Sequence, residues 1–279
     1  MVPGTSQRRV CQVLDVPRSR LHPPTRVPVA DATRVPSART AELTRRLKEL
    51  LTQHPTFGYR RLWALLRFRD GMKVTQQTVY RILKSDGWFV HQRSRTPRPR
   101  VQQWRSQVET SNTRGAMDVT HIDCGTDGWG HLTAIIDCAD REIIGYEFAL
   151  RGRAQEAERA LEAAILARFG TLRPMGSMPS IRSDNGLLFQ SRRFRAACHA
   201  SRLAQEFITP YTPQQNGMIE RFFRSIKEEC VWQHSFRSFA EAHPLIEKWI
   251  AWYNTERPHQ ALAYHSPTQF RERQQQQVA

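Results

Sequence analysis

The apolar residues of this chain recur with two different periods, and the change from one to the other falls near residue 115. Before it, leucines recur at helical spacing on either side of Pro55 and Gly58, which predicts two amphipathic helices. These leucines are Leu43, Leu47, Leu50 and Leu51 in the first helix and Leu62, Leu65 and Leu66 in the second. After it, apolar and polar residues alternate, which is typical of strands.

A third helix is predicted to begin after Thr75, whose side chain can cap it, and to end at Gly87. Its apolar residues face inward, and its outward residues are suited to the phosphates and base edges of a major groove. These outward residues are Gln76, Gln77, Thr78, Arg81 and Lys84. We predict that residues 40–90 form a small all-α helix-turn-helix domain that binds DNA. A plain three-helix bundle with a polar face is the alternative.

Three stretches after residue 115 predict an antiparallel meander, joined by Asp127-Gly128 and Asp140-Arg141 turns. They are residues 117–122, 132–136 and 143–148. The elements predicted after them are a helix over Glu156–Phe169, a strand over Ile181–Asp184, a helix over Phe189–Ser201, a strand over Glu206–Ile208 and a helix over Ile219–His234. This order predicts an α/β fold with helices on the faces of a sheet.

Basic residues are concentrated in the first part of the chain. The formal net charge is +16 over 279 residues, and residues 1–110 hold 22 Lys and Arg against 7 Asp and Glu, so the rest is nearly neutral. A cationic segment attracts a polyanion and releases its counterions, which favours a nucleic acid as the partner. A solvated, arginine-rich surface is the alternative.

Composition also suggests how the chain is divided. We predict a basic N-terminal arm over residues 1–39, with a short helical segment and a proline-rich linker, and a second basic linker over residues 91–110. Residues 111–235 then form the α/β core, and residues 236–279 a C-terminal helical extension and tail.

The chain shows no sign of secretion or membrane insertion. Its five cysteines are odd in number, widely spaced and never in a Cys-x-x-Cys pair, so neither a disulfide framework nor a zinc site is expected. It contains no run of about 18 apolar residues and no signal-peptide pattern at its N-terminus. We therefore expect a cytoplasmic protein without a membrane partner.

Three acidic residues stand out in the second part. Asp118 lies inside the first predicted strand, Asp184 ends a later strand before Asn185-Gly186, and Glu220 opens the last helix. Each has an ordinary alternative: an exposed strand residue, a turn formed for its own backbone, and an intrahelical ion pair with Arg224. Ligand sites of open α/β sheets lie at the carboxyl ends of strands, as Asp184 does.

Together the three acids indicate metal-dependent chemistry at phosphorus. Carboxylates gathered at one place can hold two Mg²⁺ or Mn²⁺ ions, which stabilise both the attacking and the leaving oxygen of an in-line displacement. Arg224 and Lys227 share the helical face of Glu220 and are predicted to bind DNA phosphates. Glu228 and Glu229 lie on other sides of the helix and are poorer candidates.

The order and spacing of these residues resemble the integrase core of insertion-sequence transposases, most closely the OrfB type of the third numbered insertion-sequence family, a relative of retroviral integrases. The matching motifs of the core are Asp118-x-Thr120-His121, Ser183-Asp184-Asn185-Gly186 and Gln215-Asn216-Gly217-x-x-Glu220-Arg221, with 35 residues between the last two acids. Outside the core the matches are Gly58-Tyr59-Arg60-Arg61, Val79-Tyr80-Arg81, Trp252-Tyr253-Asn254-x-x-Arg257-Pro258-His259 and Ser266-Pro267.

The resemblance implies a ribonuclease-H-like fold, with a mixed five-stranded sheet flanked by helices and catalytic roles for Asp118, Asp184 and Glu220. It also implies magnesium dependence, recognition of terminal inverted repeats, strand transfer in a homo-oligomer on bacterial nucleoid DNA, and fusion with or binding to the product of an upstream reading frame. Asp123 and Asp137 fall outside the matched positions and are interpreted as structural. Gly115 stands where the family usually has a tryptophan, so we expect looser packing beneath the site.

Two other functions remain open at this stage. A non-catalytic DNA-binding protein, translated from an orphan second reading frame, would compete for element ends and regulate transposition. A structure-specific nuclease on the same fold would cut junctions or hybrids without strand transfer. The transposase and the regulator both predict DNA binding with a steep salt dependence, and only the transposase also joins ends.

Overall fold

The computed structural model describes residue 11 and residues 38–89, 108–209 and 212–278. The predicted proline-rich linker and most of both basic segments lie outside these residues. The chain divides into two compact units, Met1–Arg46 and Leu47–Ala279. Of the first unit, the structure describes Cys11 and the beginning of a helix, α1, which spans Ala38–Gln53 and continues into the second unit.

The three helices predicted before residue 90 are confirmed. Helix α1 is followed by α2 over Tyr59–Ala64, which continues as a π-helical turn over Leu65–Arg69, and by α3 over Gln76–Ser85. The Thr75 hydroxyl caps α3 as predicted, since it accepts from the Thr78 N–H at 3.2 Å. The π-helical turn is not visible in the spacing of the leucines.

The second part is built on a mixed five-stranded sheet, as predicted. Strands β1 (Arg114–Asp123), β2 (Trp129–Asp137) and β3 (Ile143–Ala149) form the antiparallel meander. Strands β4 (Ser180–Ser183) and β5 (Ala204–Phe207) extend the sheet in parallel from β1. The order β3-β2-β1-β4-β5 places β1 at the centre.

Helices cover both faces of this sheet. They are α4 (Ala154–Phe169), α5 (Leu187–Gln190), α6 (Arg192–Ala200), α7 (Gly217–Glu229), α8 (Phe239–Thr255) and α9 (Pro267–Val278). On one face Met117 and Ile135 are buried with apolar residues of α4 and α6. On the other face Ala116 and Ile122 are buried with residues of α7 and α8.

Two predicted helices are interrupted or end earlier than predicted, and the helix predicted over Glu156–Phe169 begins two residues earlier, at Ala154. The helix predicted over Phe189–Ser201 is interrupted at Ser191, whose backbone is extended and whose hydroxyl caps α6 by accepting from the Phe194 N–H. The helix predicted to reach His234 ends at Glu229, because the backbone of Cys230 leaves the helical region. In both places the apolar residues keep recurring at helical spacing beyond the point where the helix breaks or ends.

The expectation of loose packing at Gly115 is wrong. A Cβ added at this buried glycine would lie 2.9 Å from Ile181 Cδ1 and 3.2 Å from Ile135 Cγ2. The two isoleucines are themselves almost fully buried. They fill the space beside Gly115, so β1 is tightly packed two residues before its buried methionine, Met117.

Within the described ranges, no helix is long and apolar enough to span a membrane.

Candidate active site

Asp118 lies within β1, and Asp184 directly follows β4, the parallel strand beside it. The ladder between β1 and β4 pairs Ala116 with Arg182, and two residues further along each strand bring Asp118 level with Asp184, which directly follows β4. Side chains alternate along a strand and neighbouring strands are about 4.8 Å apart. Continued for two residues, this register directs the two carboxylates toward the same face of the sheet.

Glu220 comes to the same face from helix α7. Ala116 and Ile122 share the face of Asp118, and they are buried in one hydrophobic cluster with Ile219 of α7. This cluster holds the helix against the sheet. Glu220 lies in the first turn of α7 with an exposed side chain, where the helix dipole favours a negative charge.

The residues just before α7 attach the start of that helix to the sheet. Asn216 is buried, and its Nδ2 donates to the carbonyl of Met117, next to Asp118, at 3.4 Å. Gln215 Oε1 accepts from the Thr209 N–H at 2.9 Å, and the Gln215 carbonyl accepts from Arg182 Nη1 at 3.3 Å. The sequence singled out this Gln-Asn-Gly motif without a role, and its contacts show that it positions the helix of Glu220.

The loop after β4 fixes Asp184 through backbone contacts. The Gly186 N–H donates to Asp184 Oδ1 at 3.0 Å, and Asn185 Nδ2 donates to the Ile208 carbonyl at 2.9 Å. A Cβ on Gly186 would lie 2.9 Å from Asp184 Oδ1, so a glycine leaves room for this carboxylate. One oxygen of Asp184 therefore serves the turn itself, which is what the interpretation of Asp-Asn-Gly as an ordinary turn requires. The same bond holds the side chain of Asp184 in a fixed orientation.

Asp184 and Glu220 act electrostatically on Asp118. The pKa of Asp118 is raised from 3.8 to about 6, chiefly because burial penalises its charge, and further by the negative charges of Asp184 and Glu220. A bond from the Val119 N–H to Asp118 Oδ1, at 2.8 Å, opposes this shift. The pKa of Glu220 is also raised by burial. The site therefore concentrates negative charge that a cation would relieve.

The donors of this site are all carboxylate oxygens, the type that Mg²⁺ and Mn²⁺ prefer. In the part of the chain that the structure describes, no three His, Cys, Asp or Glu side chains are close enough to hold one metal ion together. The arrangement is thus a pair of neighbouring aspartates with a glutamate in electrostatic reach, rather than a closed cage. Such an open set fits magnesium, which usually takes only one or two carboxylates and keeps water or phosphate oxygens as its other ligands.

The residues predicted to contact DNA are placed in two regions. On α3, Gln77, Thr78, Arg81 and Lys84 are exposed as predicted, whereas Gln76 is half-buried. On α7, Arg224 Nε lies 2.5 Å from Glu228 Oε1, in an ion pair one turn along the helix. Lys227 is half-buried. Glu228 therefore balances part of the positive charge of Arg224 that was predicted to bind DNA phosphates.

The two acids set aside as structural make backbone contacts. Asp137 is buried and accepts hydrogen bonds from the backbone N–H groups of Asn112, Ala139 and Asp140, at 2.8 to 3.1 Å. Asp123 accepts from the Gly125 N–H at 3.0 Å. Both acids shape the turns at the ends of their strands.

Three family models match the chain. An HTH-like domain matches residues 38–96, and two models described as integrase core domain match residues 109–213 and 201–267. A helical DNA-binding part and a mixed sheet with this acidic site define an integrase-type polynucleotidyl transferase, an enzyme that acts on DNA.

Curated relatives are similar over most of the chain. One relative is a 31.7 kDa protein of insertion element IS407 from Burkholderia multivorans, which is described as uncharacterized. It is 31% identical to this chain, and the match covers 95% of this chain and 90% of that protein. Transposase InsD of insertion element IS2 from Escherichia coli is 27% identical, and the match covers 81% of this chain and 76% of that protein. Among solved structures, the simian T-cell lymphotropic virus intasome matches at 18% identity and a TM-score of 0.46, over 81% of this chain and 74% of that chain.

The chain belongs to the insertion-element transposases that carry an integrase core domain. Its function is that of a DNA transposase, with a ribonuclease-H-like core preceded by a helix-turn-helix part. The comparisons contain nothing that favours a DNA-binding protein without catalysis.

Proposed function

We propose that Asp118, Asp184 and Glu220 are the catalytic residues with which this transposase cleaves and joins the ends of an insertion element. The observation that carries the proposal is where the three acids lie: Asp118 within β1, Asp184 directly after the neighbouring strand β4, and Glu220 in the first turn of the helix that packs on the same face of the sheet. The effect of Asp184 and Glu220 on the pKa of Asp118 supports it.

The proposed reaction has two steps of the same kind. In the first, water attacks a phosphodiester at the element end and a 3′-hydroxyl leaves. In the second, that hydroxyl attacks a phosphodiester of the target, so that one P–O bond forms as another breaks. A single site can serve both steps because the attacking oxygen occupies the same place in each.

We propose that the three carboxylates hold divalent cations, Mg²⁺ or Mn²⁺ and two in number. When bound, such ions supply positive charge that stabilises the attacking and leaving oxygens of the displacement. Asp118 and Asp184 would bind from adjacent strands, and Glu220 from the helix end. Asn216 and Gly186 act on this site indirectly: Asn216 anchors the helix of Glu220, and Gly186 donates to Asp184.

The remaining assignments follow from the same function. Residues 40–90 would bind the terminal inverted repeats through Gln76, Gln77, Thr78, Arg81 and Lys84, and Arg224 and Lys227 would contact DNA phosphates beside the site. Residues 111–235 form the proposed catalytic core, between a basic arm and linker (1–39 and 91–110) and a C-terminal extension (236–279). The enzyme would act as a homo-oligomer on nucleoid DNA in the bacterial cytoplasm, fused with or bound to the product of an upstream reading frame.

Strand transfer of a labelled element end by the purified chain, with and without Mg²⁺, tests the proposal. The comparison includes Glu220→Gln, which keeps the shape of the side chain and removes its charge. A version fused to the upstream frame belongs in the same experiment. We expect the wild type or its fusion to join ends only with the metal, and Glu220→Gln to bind the same DNA without joining it.

Glu228→Gln is the matched control, since it removes an equivalent charge from the same helix on a different side. It is expected to keep strand transfer. Equal activity of Glu220→Gln and wild type would contradict the assignment of the three acids. Cleavage of junctions or hybrids without joining would instead indicate a structure-specific nuclease.

A further inference from the structure

Two sequence signatures that have no role in the proposed chemistry meet at one carboxylate, Glu229. Arg61 belongs to the Gly-Tyr-Arg-Arg sequence that begins α2, and its Nη1 lies 2.7 Å from Glu229 Oε1. Arg257 belongs to the signature that follows α8, and it binds Glu229 with two bonds, Nη2 to Oε1 at 2.6 Å and Nε to Oε2 at 2.8 Å. A single acid thus joins the helix-turn-helix part to the C-terminal extension.

Glu229 is bound too tightly, and is too deeply buried, for an incidental surface contact. Only 6% of its side chain and 4% of that of Arg257 are exposed. Hydrogen bonds and charge from Arg257, followed by the charge of Arg61, hold the pKa of Glu229 below its ordinary value despite burial. Losing one partner of a buried ion pair leaves the other charge uncompensated, so such pairs hold the elements that carry them in place.

Arg61 is connected in turn to helix α3. Trp63, two residues along α2, donates from Nε1 to the carbonyl of Val74, just before α3, at 2.9 Å. Tyr59 packs edge-to-face against Tyr80 of α3, with ring centroids 5.3 Å apart. A movement of Arg61 is therefore transmitted to the helix whose outward residues are predicted to contact DNA.

Glu229 is connected to the acidic site through a single helix. It is the last residue of α7, and Glu220 lies in the first turn of the same helix. Nine residues of helix span roughly 13.5 Å, and the two glutamates point to opposite sides of the axis. The helix therefore separates two functions: one end faces Asp118 and Asp184, and the other end receives the helix-turn-helix part.

Aromatic contacts beside the ion pairs align the same two parts. The imidazole of His54 stacks on Trp252 of α8 with ring centroids 5.2 Å apart, and Trp63 packs edge-to-face against Tyr264 at 5.2 Å. The Arg61 guanidinium also lies over the ring of Phe57, 4.9 Å from its centroid. These ring contacts are less directional than the hydrogen-bonded ion pairs to Glu229, which fix both distance and direction.

We propose that Glu229 is a positioning residue: by binding Arg61 and Arg257 together, it holds α3 at a fixed distance from the acidic site. That distance would determine which phosphodiester is cut relative to the DNA sequence that α3 binds. The inference rests on the proposed function of Asp118, Asp184 and Glu220, and it assigns to the Arg61–Glu229–Arg257 contact the selection of the cleavage position.

Arg61→Gln is the most informative variant, because it releases the helix-turn-helix part while Arg257 still neutralises the buried Glu229. Arg61→Lys retains one ion pair and tests rescue. Arg60→Gln removes the same charge from the neighbouring, exposed position and is the matched control. Glu229→Gln is a second test of the contact, interpreted only if circular dichroism shows that the variant is folded.

The first readout does not depend on activity. Spin labels are attached at Asp86→Cys, at the end of α3, and at Ala163→Cys on α4, both exposed positions, while the native cysteines are buried. Wild type, Arg60→Gln and Arg61→Lys should give one narrow distance distribution by pulsed electron paramagnetic resonance. Arg61→Gln should broaden or shift it.

The second readout is the cleavage position, mapped at nucleotide resolution on a labelled element end. Arg61→Gln is expected to lose the single cut position and to cut at several neighbouring phosphodiesters, with the affinity for the end unchanged. A narrow distance distribution in folded Arg61→Gln and Glu229→Gln, or a single cut position in both, would overturn the inference. If the wild type and its fusion cut no DNA, the proposed function fails, and the label distances still decide whether the contact holds α3.

Discussion

The side-chain amide of Asn254 on α8 binds both backbone polar groups of Ile143, the first residue of β3. The Ile143 N–H donates to Asn254 Oδ1, and Asn254 Nδ2 donates to the Ile143 carbonyl, each at 2.9 Å. Strand β3 lies at the edge of the sheet, where backbone groups lack a neighbouring strand on one side. Asn254 therefore replaces that strand locally, which gives a structural reason for its place in the C-terminal signature.

We expect Asn254→Ala to lower the free energy of unfolding by about 1 to 3 kcal/mol, because it leaves two partly buried backbone groups without partners. Urea unfolding of wild type and variant measures the difference. Thr255→Ala is the control: this exposed residue bonds only within its own helix, to the Ala251 carbonyl, and its loss should change little. Equal destabilisation by the two variants would contradict this role of Asn254.

The acidic site should destabilise the protein when no cation is present. Asp118 is partly buried and repelled by Asp184 and Glu220. We expect Asp118→Asn to raise the free energy of unfolding at neutral pH by about 1 to 3 kcal/mol in a chelating buffer, since the amide carries no charge.

Magnesium should reverse the stability order of wild type and Asp118→Asn. Millimolar Mg²⁺ is expected to raise the melting temperature of the wild type, because a ligand that binds only the folded state stabilises it. Asp118→Asn should respond little, and Asp123→Asn, on the same strand, should respond as the wild type does. If Asp118→Asn is no more stable than wild type in the chelating buffer, electrostatic strain at Asp118 is contradicted.

The sequence predicted most of the fold because its periodicities are strong. The alternation after residue 115 located the meander of β1, β2 and β3. Asp118 was singled out as an acid inside a strand, Asp184 as one at a strand end, and Glu220 as one at a helix start. The break at Ser191 escaped notice because apolar residues continue on both sides of it. A capping serine within a helical pattern was the available signal.

Long-range contacts were the part that the sequence could not supply. Glu229 was set aside because it points away from Glu220, and that reasoning was sound for a metal ligand. Its partners Arg61 and Arg257 are separated from it by 168 and 28 residues, and no local pattern relates them. The close packing at Gly115 depends in the same way on Ile181 of another strand.

The pH dependence of stability should reflect His54. Burial, followed by the positive charge of Arg69, lowers the pKa of this imidazole from 6.5 to about 4. The unfolded chain then binds a proton below pH 6.5 that the folded protein resists until about pH 4. Stability from this group is present above pH 6.5 and is lost as the pH falls through this window.

The full shift would correspond to about 3 kcal/mol, and we expect about 1 to 2 kcal/mol because the ring is only partly buried. His54→Phe should reduce the loss of stability between pH 6.5 and pH 4, measured by urea unfolding at several pH values. His199→Phe, at an exposed position of α6, is the control and should leave the dependence as in wild type. An unchanged dependence in His54→Phe would refute the assignment.

Helix α4 approaches the sheet closely enough to require glycine at one position of β3. A Cβ on Gly145 would lie 2.3 Å from the Ala160 carbonyl oxygen and 2.6 Å from the Ala164 nitrogen. Both are backbone atoms of α4, so the whole helix would have to move. At Gly115, by contrast, an added Cβ would meet side-chain methyl groups, Ile181 Cδ1 and Ile135 Cγ2, which can give way without a movement of the backbone.

We therefore expect Gly145→Ala to lower the free energy of unfolding by about 3 kcal/mol and Gly115→Ala by about 1 kcal/mol. Guanidinium unfolding of the two variants beside wild type gives the comparison, with Gly58→Ala as a reference at a position where an added Cβ meets nothing within 4 Å. The ranking tests the spacing between α4 and β3 directly. If Gly145→Ala and Gly115→Ala lower the free energy of unfolding equally, α4 does not lie as close to β3 as these distances require.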